Sequence, residues 1–227
     1  MAVVFPAETV SCLKARLTES LPGIAAHRIM APFGRRERSA GSAPGHARRG
    51  AVLVLLYEGP HGLQLPLIVR ADDGTAHGGQ IGLPGGGYEE GDVYPEGTAL
   101  RETEEEIRVA PDTVELVGCL SPLYVPVSNY YIVPVVGGYR GDPTAFRANP
   151  VEVERVVRVG CDDLERGRTA ATVEARGRLM RVPAFVVDGM VVWGVTAMII
   201  SELTTVLAEA CGEAALLRRR TSPDDLR

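Results

Sequence analysis

The six residues 101–106 read Arg-Glu-Thr-Glu-Glu-Glu, four carboxylates and one cation in a row. Like charges three or four residues apart on a helix repel one another. At about 100° per residue, Glu102, Glu105 and Glu106 fall within an arc of about 100°. Leu100, Thr103 and Ile107 form the apolar stripe on the opposite side, and Glu104 lies outside the acidic arc. A solvated helix face normally mixes signs, yet Arg101 is the one cation in this run. A divalent ion placed among the three carboxylates would turn their repulsion into attraction. Oxygen donors without His or Cys select a hard ion, Mg²⁺ or Mn²⁺, over zinc. The competing reading is a plain solvated face, and spacing alone leaves both open.

The segment upstream adds a second feature. Residues 78–92, GGQIGLPGGGYEEGD, hold seven glycines in fifteen positions. Glycine lets the backbone approach a ligand closely and adopt positive φ. A merely mobile turn would hardly carry Ile81, Leu83 and Pro84. A glycine-rich loop feeding an acidic helix suits a metal–diphosphate site. No Gly-Lys-Ser/Thr follows, so it is not a P-loop.

Elements must hold these two features together. Residues 7–21 place Val10, Leu13, Leu17 and Leu21 at helical spacing. Residues 22–50 are rich in Gly, Pro, Ser, Ala and Arg and predict an irregular connection. Its Arg35, Arg36 or Arg38 would be solvated or reach an anionic ligand. The apolar run 51–57 predicts a strand buried on both faces, and 63–70 its hairpin partner. Residues 71–94 predict a long loop. Pro95 suits the first turn of a helix that continues over 96–108. Strands are expected at 113–120, 130–136 and 151–159, a short helix at 162–168, and short strands at TVEA, RLMRVPAFVV and MVVW. A closing helix spans 195–217. Mixed strands and helices indicate an α/β (α+β) domain. The division expected is 1–50 as an N-terminal helix and Arg/Gly-rich connection on or beside the domain, 51–217 as the domain itself, and 218–227 as a polar tail.

The 227 residues carry a net charge of −5, so nothing global points to nucleic acid or an anionic membrane. Charge is uneven: 22–50 has six arginines and one glutamate, 89–106 eight acids and one arginine. A local acidic site in a mildly acidic protein implies a cation. Cys12, Cys119, Cys161 and Cys211 are far apart in sequence and form no CxxC pair, so reduced thiols in a cytoplasmic protein are expected. The N-terminus lacks the pattern of a signal peptide. No stretch approaches the ~20 apolar residues of a membrane span, and 191–200 reads as a buried element. An exposed strand edge or the N-terminal helix leaves room for a homodimer.

Residues 86–109 resemble the Nudix box, G-x5-E-x7-R-E-U-x-E-E-x-G-U, where U is a bulky aliphatic. Arg101, Glu102, Glu105 and Glu106 match its R-E-x-x-E-E. A one-residue insertion puts Gly86 at the box glycine and Asp92 at the first acid, a spacing that resembles the coenzyme A pyrophosphatase branch of the Nudix hydrolase superfamily. Arg70, His77, Gly79 and Gln80 match that branch's upstream R…H-x-G-Q stretch. NPVEVERVVRV (149–159) is similar to its N-x-x-E-V segment. Trp193, Gly194, Thr196 and Ala197 resemble its closing W-G-x-T-A helix. Three positions depart from the pattern: Arg108 replaces the box glycine, Thr103 the aliphatic after Arg-Glu, and Gly74–Thr75 a Leu-Arg pair before the histidine.

The resemblance implies a Nudix fold, a mixed β-sheet sandwiched between helices, and Mg²⁺-dependent (or Mn²⁺-dependent) hydrolysis of a diphosphate. Glu102, Glu105 and Glu106 would be metal ligands, with a Gly85 or Gly86 carbonyl completing the set. Glu102 or Glu105 would hold the attacking water as base, and Arg101 would orient a carboxylate. Arg70, His77, Gln80 and Gly85 would contact substrate. Asn149 and Glu152 read as structural, with catalytic help the alternative, and Trp193 reads as core, with a base-stacking platform the alternative. The expected substrate is coenzyme A or its thioesters, cleaved to 3′,5′-ADP and 4′-phosphopantetheine. The alternatives are another nucleoside diphosphate derivative (ADP-ribose, NADH, FAD or a dinucleotide) or a nucleotide-binding regulator with little turnover.

Overall fold

The computed structural model describes residues 5–32, 44–60, 62–72, 78–175 and 177–212. Strand β1 (Arg48–Gly59) is its axis. It forms a hairpin with β2 (Gly62–Arg70), then parts from it. Beyond the split β1 pairs in parallel with β7 (Tyr130–Tyr139), which carries β5 (Val114–Cys119) and β6 (Leu123–Val125) antiparallel. Strand β2 pairs instead with β8 (Val153–Gly160).

The glycine segment spans the gap. Its β3 (Ile81–Gly82) pairs with β2 and its β4 (Gly85–Gly87) with β1. Leu83 and Pro84 cross between them. The long loop expected over 71–94 therefore contains two short strands. Glycines have weak strand propensity, and these pairings are made by backbone alone.

The run 51–57 is buried on both faces, and its alternation divides the core. Ala51, Leu53, Leu55 and Tyr57 meet Ala99 and Ile107 of α3 (Glu96–Ile107). Val54 and Leu56 lie in the core with Leu13 of α1 (Ala7–Leu17) and Leu203 and Val206 of α5 (Gly194–Cys211). The result is a mixed sheet between helices, as the resemblance implied. A short α4 (Cys161–Arg166) and a three-stranded sheet of β9 (Arg168–Ala175), β10 (Arg178–Val187) and β11 (Met190–Trp193) complete the chain before α5.

The irregular connection expected at 22–50 holds a seven-residue helix, α2 (Ile24–Met30). Helix α5 anchors it through Glu202, which is fully buried. One Glu202 oxygen accepts the Gly23 N–H at 2.9 Å; the other meets the Ser121 N–H at 3.1 Å and His27 Nε2 at 2.9 Å. Helix α5 is long and apolar enough to cross a membrane by composition alone, but here it is a core helix, with Glu202 at its middle. Its far end meets α1 through an Arg16–Glu209 ion pair at 2.6 Å and through contact of the Cys12 and Cys211 thiols. Those two cysteines, distant in sequence, are neighbours in space.

Candidate active site

Helix α3 begins after the Tyr94–Pro95 bond and is set by Asp92. The Asp92 carboxylate accepts the Glu89 N–H at 3.0 Å, the Thr98 hydroxyl at 2.9 Å and the Arg101 Nε at 3.1 Å. The Arg101 hydrogen bond holds Asp92 at about 2, well below the usual carboxylate range. Arg101 also donates to the Gly87 carbonyl at 2.8 Å, to Glu102 at 3.0 Å and to Glu105 at 3.2 Å. One guanidinium thereby ties the glycine strand, the 88–92 turn and the acidic face of α3 together.

Two of the three carboxylates converge on the glycine strand. Glu106 Oε2 accepts the Gly85 N–H at 2.8 Å, and Oε1 stands 3.7 Å from Arg70 Nη1. The Glu102 carboxylate lies against Gly86, where a Cβ would stand 2.4 Å from it, so a side chain at this position would displace the carboxylate. Glu105 is half exposed and turned to Arg101.

The helical wheel put Glu106 opposite the buried stripe. In the structure it is only 1% exposed, because β4 closes over that side of the helix. Burial, eased by the Gly85 N–H and Arg70, pushes its carboxyl up to about 7, and the nearby Glu102 and Glu152 push the same way. Burial also raises Glu102. Glu104 is exposed, as expected.

Glu152 is a residue the sequence reading placed in the framework. Its charge acts on both Glu102 and Glu106. It sits just before β8, and its carbonyl accepts the Ala71 N–H at 2.9 Å. The N-x-x-E-V resemblance marks it in the sequence, and the pairing of β8 with the end of β2 brings it there. Asn149 has a structural place: its N–H satisfies the Glu106 carbonyl at 2.9 Å, and the Arg147 N–H satisfies Ile107 at 3.1 Å. Helix α3 ends without the box glycine because Arg108 itself takes a left-handed conformation, φ 60°, and donates to Glu104 O. Thr103 replaces the box aliphatic by burying its hydroxyl against Ala99 O at 2.7 Å.

Arg70 and Gln80 are adjacent, joined by Arg70 N–H to Gln80 O at 3.0 Å. Trp193 is half-buried at the end of β11. His77, Gly74, Thr75, Arg35, Arg36 and Arg38 lie outside the described residues.

The carboxylates suit a hard cation: burial opposes their ionisation, and among the described residues the cation beside Glu106 is Arg70, at 3.7 Å. Among the described residues no three acidic, His or Cys side chains close on one point. Glu102 and Glu106 are the two of the three helix carboxylates that stand against the glycine strand, while Glu105 is turned to Arg101.

The NUDIX domain family model matches residues 47–176. The chain belongs to the Nudix family. Among curated Nudix relatives, NudL of Escherichia coli (strain SMS-3-5 / SECEC), named as an uncharacterised Nudix hydrolase, is 36% identical over 158 residues, 69% of this chain and 81% of that one. NudL of Shigella flexneri is 35% identical over 162 residues, 70% of this chain and 83% of its own. The crystal structure of the Nudix hydrolase RenU from M. smegmatis shares the fold at TM-score 0.50 and 16% identity, covering 79% of this chain and 94% of that one. Family membership makes this protein a Nudix pyrophosphohydrolase, and Nudix enzymes work with divalent metals such as Mg²⁺.

Proposed function

We propose that this Nudix hydrolase cleaves the diphosphate of coenzyme A or its thioesters, giving 3′,5′-ADP and 4′-phosphopantetheine. The observation that carries a diphosphate site is the buried Glu106 carboxylate bound to the Gly85 N–H, with Glu102 seated against Gly86. The coenzyme A reading draws on the extra residue before the helix. The extra residue falls between Asp92 and Arg101, eight residues where the box has seven, and Asp92 still pairs with Arg101 at 3.1 Å.

In this reading Glu102, Glu106 and the Gly86 carbonyl hold Mg²⁺ or Mn²⁺, with Glu105 the third carboxylate. The bound ion supplies charge neutralisation for the phosphate oxygens and a lowered pKa for water. Glu102 or Glu105 takes the proton of the attacking water. The water oxygen bonds to one phosphorus, the P–O–P bridge breaks, and the other phosphate leaves. Arg70, 42% exposed at the rim, meets the departing charge. Gln80, His77 and the Gly85 backbone position the substrate. Arg101 acts through others: it fixes the glycine strand against Glu102.

A second reading, another nucleoside diphosphate derivative such as ADP-ribose, NADH or FAD, is favoured by Gly74–Thr75 standing where the coenzyme A branch has Leu-Arg. Purified protein with Mg²⁺, offered coenzyme A, acetyl-CoA, ADP-ribose, NADH, FAD and diadenosine polyphosphates, decides between them by kcat/KM. Coenzyme A ranking far below another compound would overturn the first reading. Tight binding without turnover of any would leave the regulator.

A further inference from the structure

Helices α1 and α5, from opposite ends of the chain, pack along one seam. Leu13 and Leu17 of α1 lie in the core with Leu203, Val206 and Leu207 of α5. The Arg16 guanidinium fixes the register by donating to Glu209 through Nε at 2.9 Å and Nη2 at 2.6 Å. The contacts run in opposite directions along the two helices. Cys12, one turn before Arg16, meets Cys211, in the last turn of α5 after Glu209. Cys12 precedes buried Leu13, and Cys211 stands one turn beyond buried Leu207, so both thiols border the same apolar seam.

Access separates this pair from Cys161. Cys161 is buried, whereas Cys12 and Cys211 are both partly exposed. An oxidant of low molecular weight can therefore reach the pair. Burial raises the Cys211 thiol, and its contact with Cys12 and the charge of Glu8 push the same way. Reaction at Cys211 therefore quickens as pH rises, because the thiolate is the nucleophile. The last turn of α5 carries no basic residue of its own and ends at Gly212, so Arg16 and Cys12 of α1 are what fasten it.

We propose that Cys12 and Cys211 form a reversible modification site, which a small disulfide of the glutathione class oxidises to one intramolecular disulfide tying α1 to the end of α5. One protein thiolate attacks a sulfur of the small disulfide. That S–S bond breaks and one small thiol leaves, giving a mixed disulfide. The second cysteine loses its proton and attacks the protein sulfur, and the second small thiol leaves. The two cysteines give up two electrons and two protons, and the small disulfide becomes two thiols.

The bond encloses a loop of about 200 residues, so it restricts the unfolded chain strongly. Its partial exposure keeps it open to reduction by small thiols. It lies at the far end of α5 from Thr196, whose hydroxyl donates to Ile81 O of the glycine segment at 3.3 Å. The tether therefore acts on the stability of the fold and leaves the glycine segment in place.

The test incubates the full chain with glutathione disulfide at mildly alkaline pH, blocks free thiols, and maps unreduced peptides by mass spectrometry. A peptide pair joined through Cys12 and Cys211 is expected, and dithiothreitol should abolish it. The oxidised protein should melt roughly 5–10 °C above the reduced one. Cys12→Ser and Cys211→Ser should lose the bond and the rise in Tm, and Cys119→Ser should keep both. The proposal is overturned if wild type keeps both thiols free, if each is capped by glutathione without joining, if the bond forms between two chains, or if the linked protein melts with the reduced one. Mapping uses wild type, so it decides even where a serine variant fails to fold. No readout involves hydrolysis, so the result stands apart from the choice of substrate.

Discussion

The Glu106 carboxylate accepts the Gly85 N–H at 2.8 Å, across twenty-one residues of chain, and is almost wholly shielded from water. A hydrogen bond to an ionised buried acceptor is stronger than a neutral one. The same contact fixes the glycine strand and orients the carboxylate proposed as a metal ligand. Glu106→Gln keeps an oxygen for the Gly85 N–H and removes the charge. Its kcat should fall by about 10³ or more, while its melting temperature without metal stays the same or rises. Near-normal turnover by the folded variant would remove Glu106 from the metal site.

The raised carboxyl of Glu106 sets a pH dependence whose sign is fixed. Its folded value, about 7, lies above the ordinary 4.5. Between these the folded state binds the proton more tightly than the unfolded chain. Stability is therefore fully present below about 4.5 and is lost as pH rises through about 7, by on the order of 3 kcal/mol. Melts in EDTA should fall by about 5–10 °C from pH 5 to pH 7.5, and Glu106→Gln should flatten that fall. Mg²⁺ requires the ionised form, so its affinity should rise over the same range. A metal-free stability that climbs from pH 5 to 7.5 and is unchanged by Glu106→Gln would contradict this.

How far the sequence foretold this site depends on the range of each contact. Arg101, Glu102 and the exposed Glu104 follow from helical periodicity, which is local. The burial of Glu106 does not, because a wheel shows the helix without β4 against it. Glu152 lies in the N-x-x-E-V segment the sequence shows, but its approach to Glu102 and Glu106 comes from the β2–β8 pairing, which helical or strand periodicity does not record. Helix α2 is too short, at seven residues between Gly23 and Pro32, to establish a period. The long strands 51–57 and 63–70 were legible because continuous apolar runs have few other destinations.

Arg101 donates to Asp92, Gly87 O, Glu102 and Glu105 from one planar fork. Lysine keeps the charge and loses the fork. Arg101→Lys should cost about 1–3 kcal/mol and lower kcat/KM more than tenfold by loosening Gly87 from Glu102. It should also alter the acid limb. Asp92 is depressed to about 2, so its stabilisation is present above about 3.8 and lost as pH falls toward 2. In the lysine variant that loss should begin at higher pH. Wild-type activity and an unchanged acid limb would show that the fork is dispensable.

Arg108 ends α3 in a left-handed conformation, φ 60° and ψ 37°, where the Nudix box has glycine. A side chain there costs roughly 1–2 kcal/mol through the clash of Cβ with the carbonyl that follows. Glycine relieves that strain but has more freedom to lose on folding, worth about 0.4–1 kcal/mol. The Arg108 guanidinium is exposed and makes no ion pair among the described residues, so little else is lost. Arg108→Gly should therefore stabilise by about 0.5–1 kcal/mol, a rise of roughly 1–4 °C in Tm for a chain of this size. Activity should be unchanged, because the Glu106 carbonyl stays capped by the Asn149 N–H. A lower Tm would mean that the Arg108 side chain supports the helix end in a way its backbone geometry does not reveal.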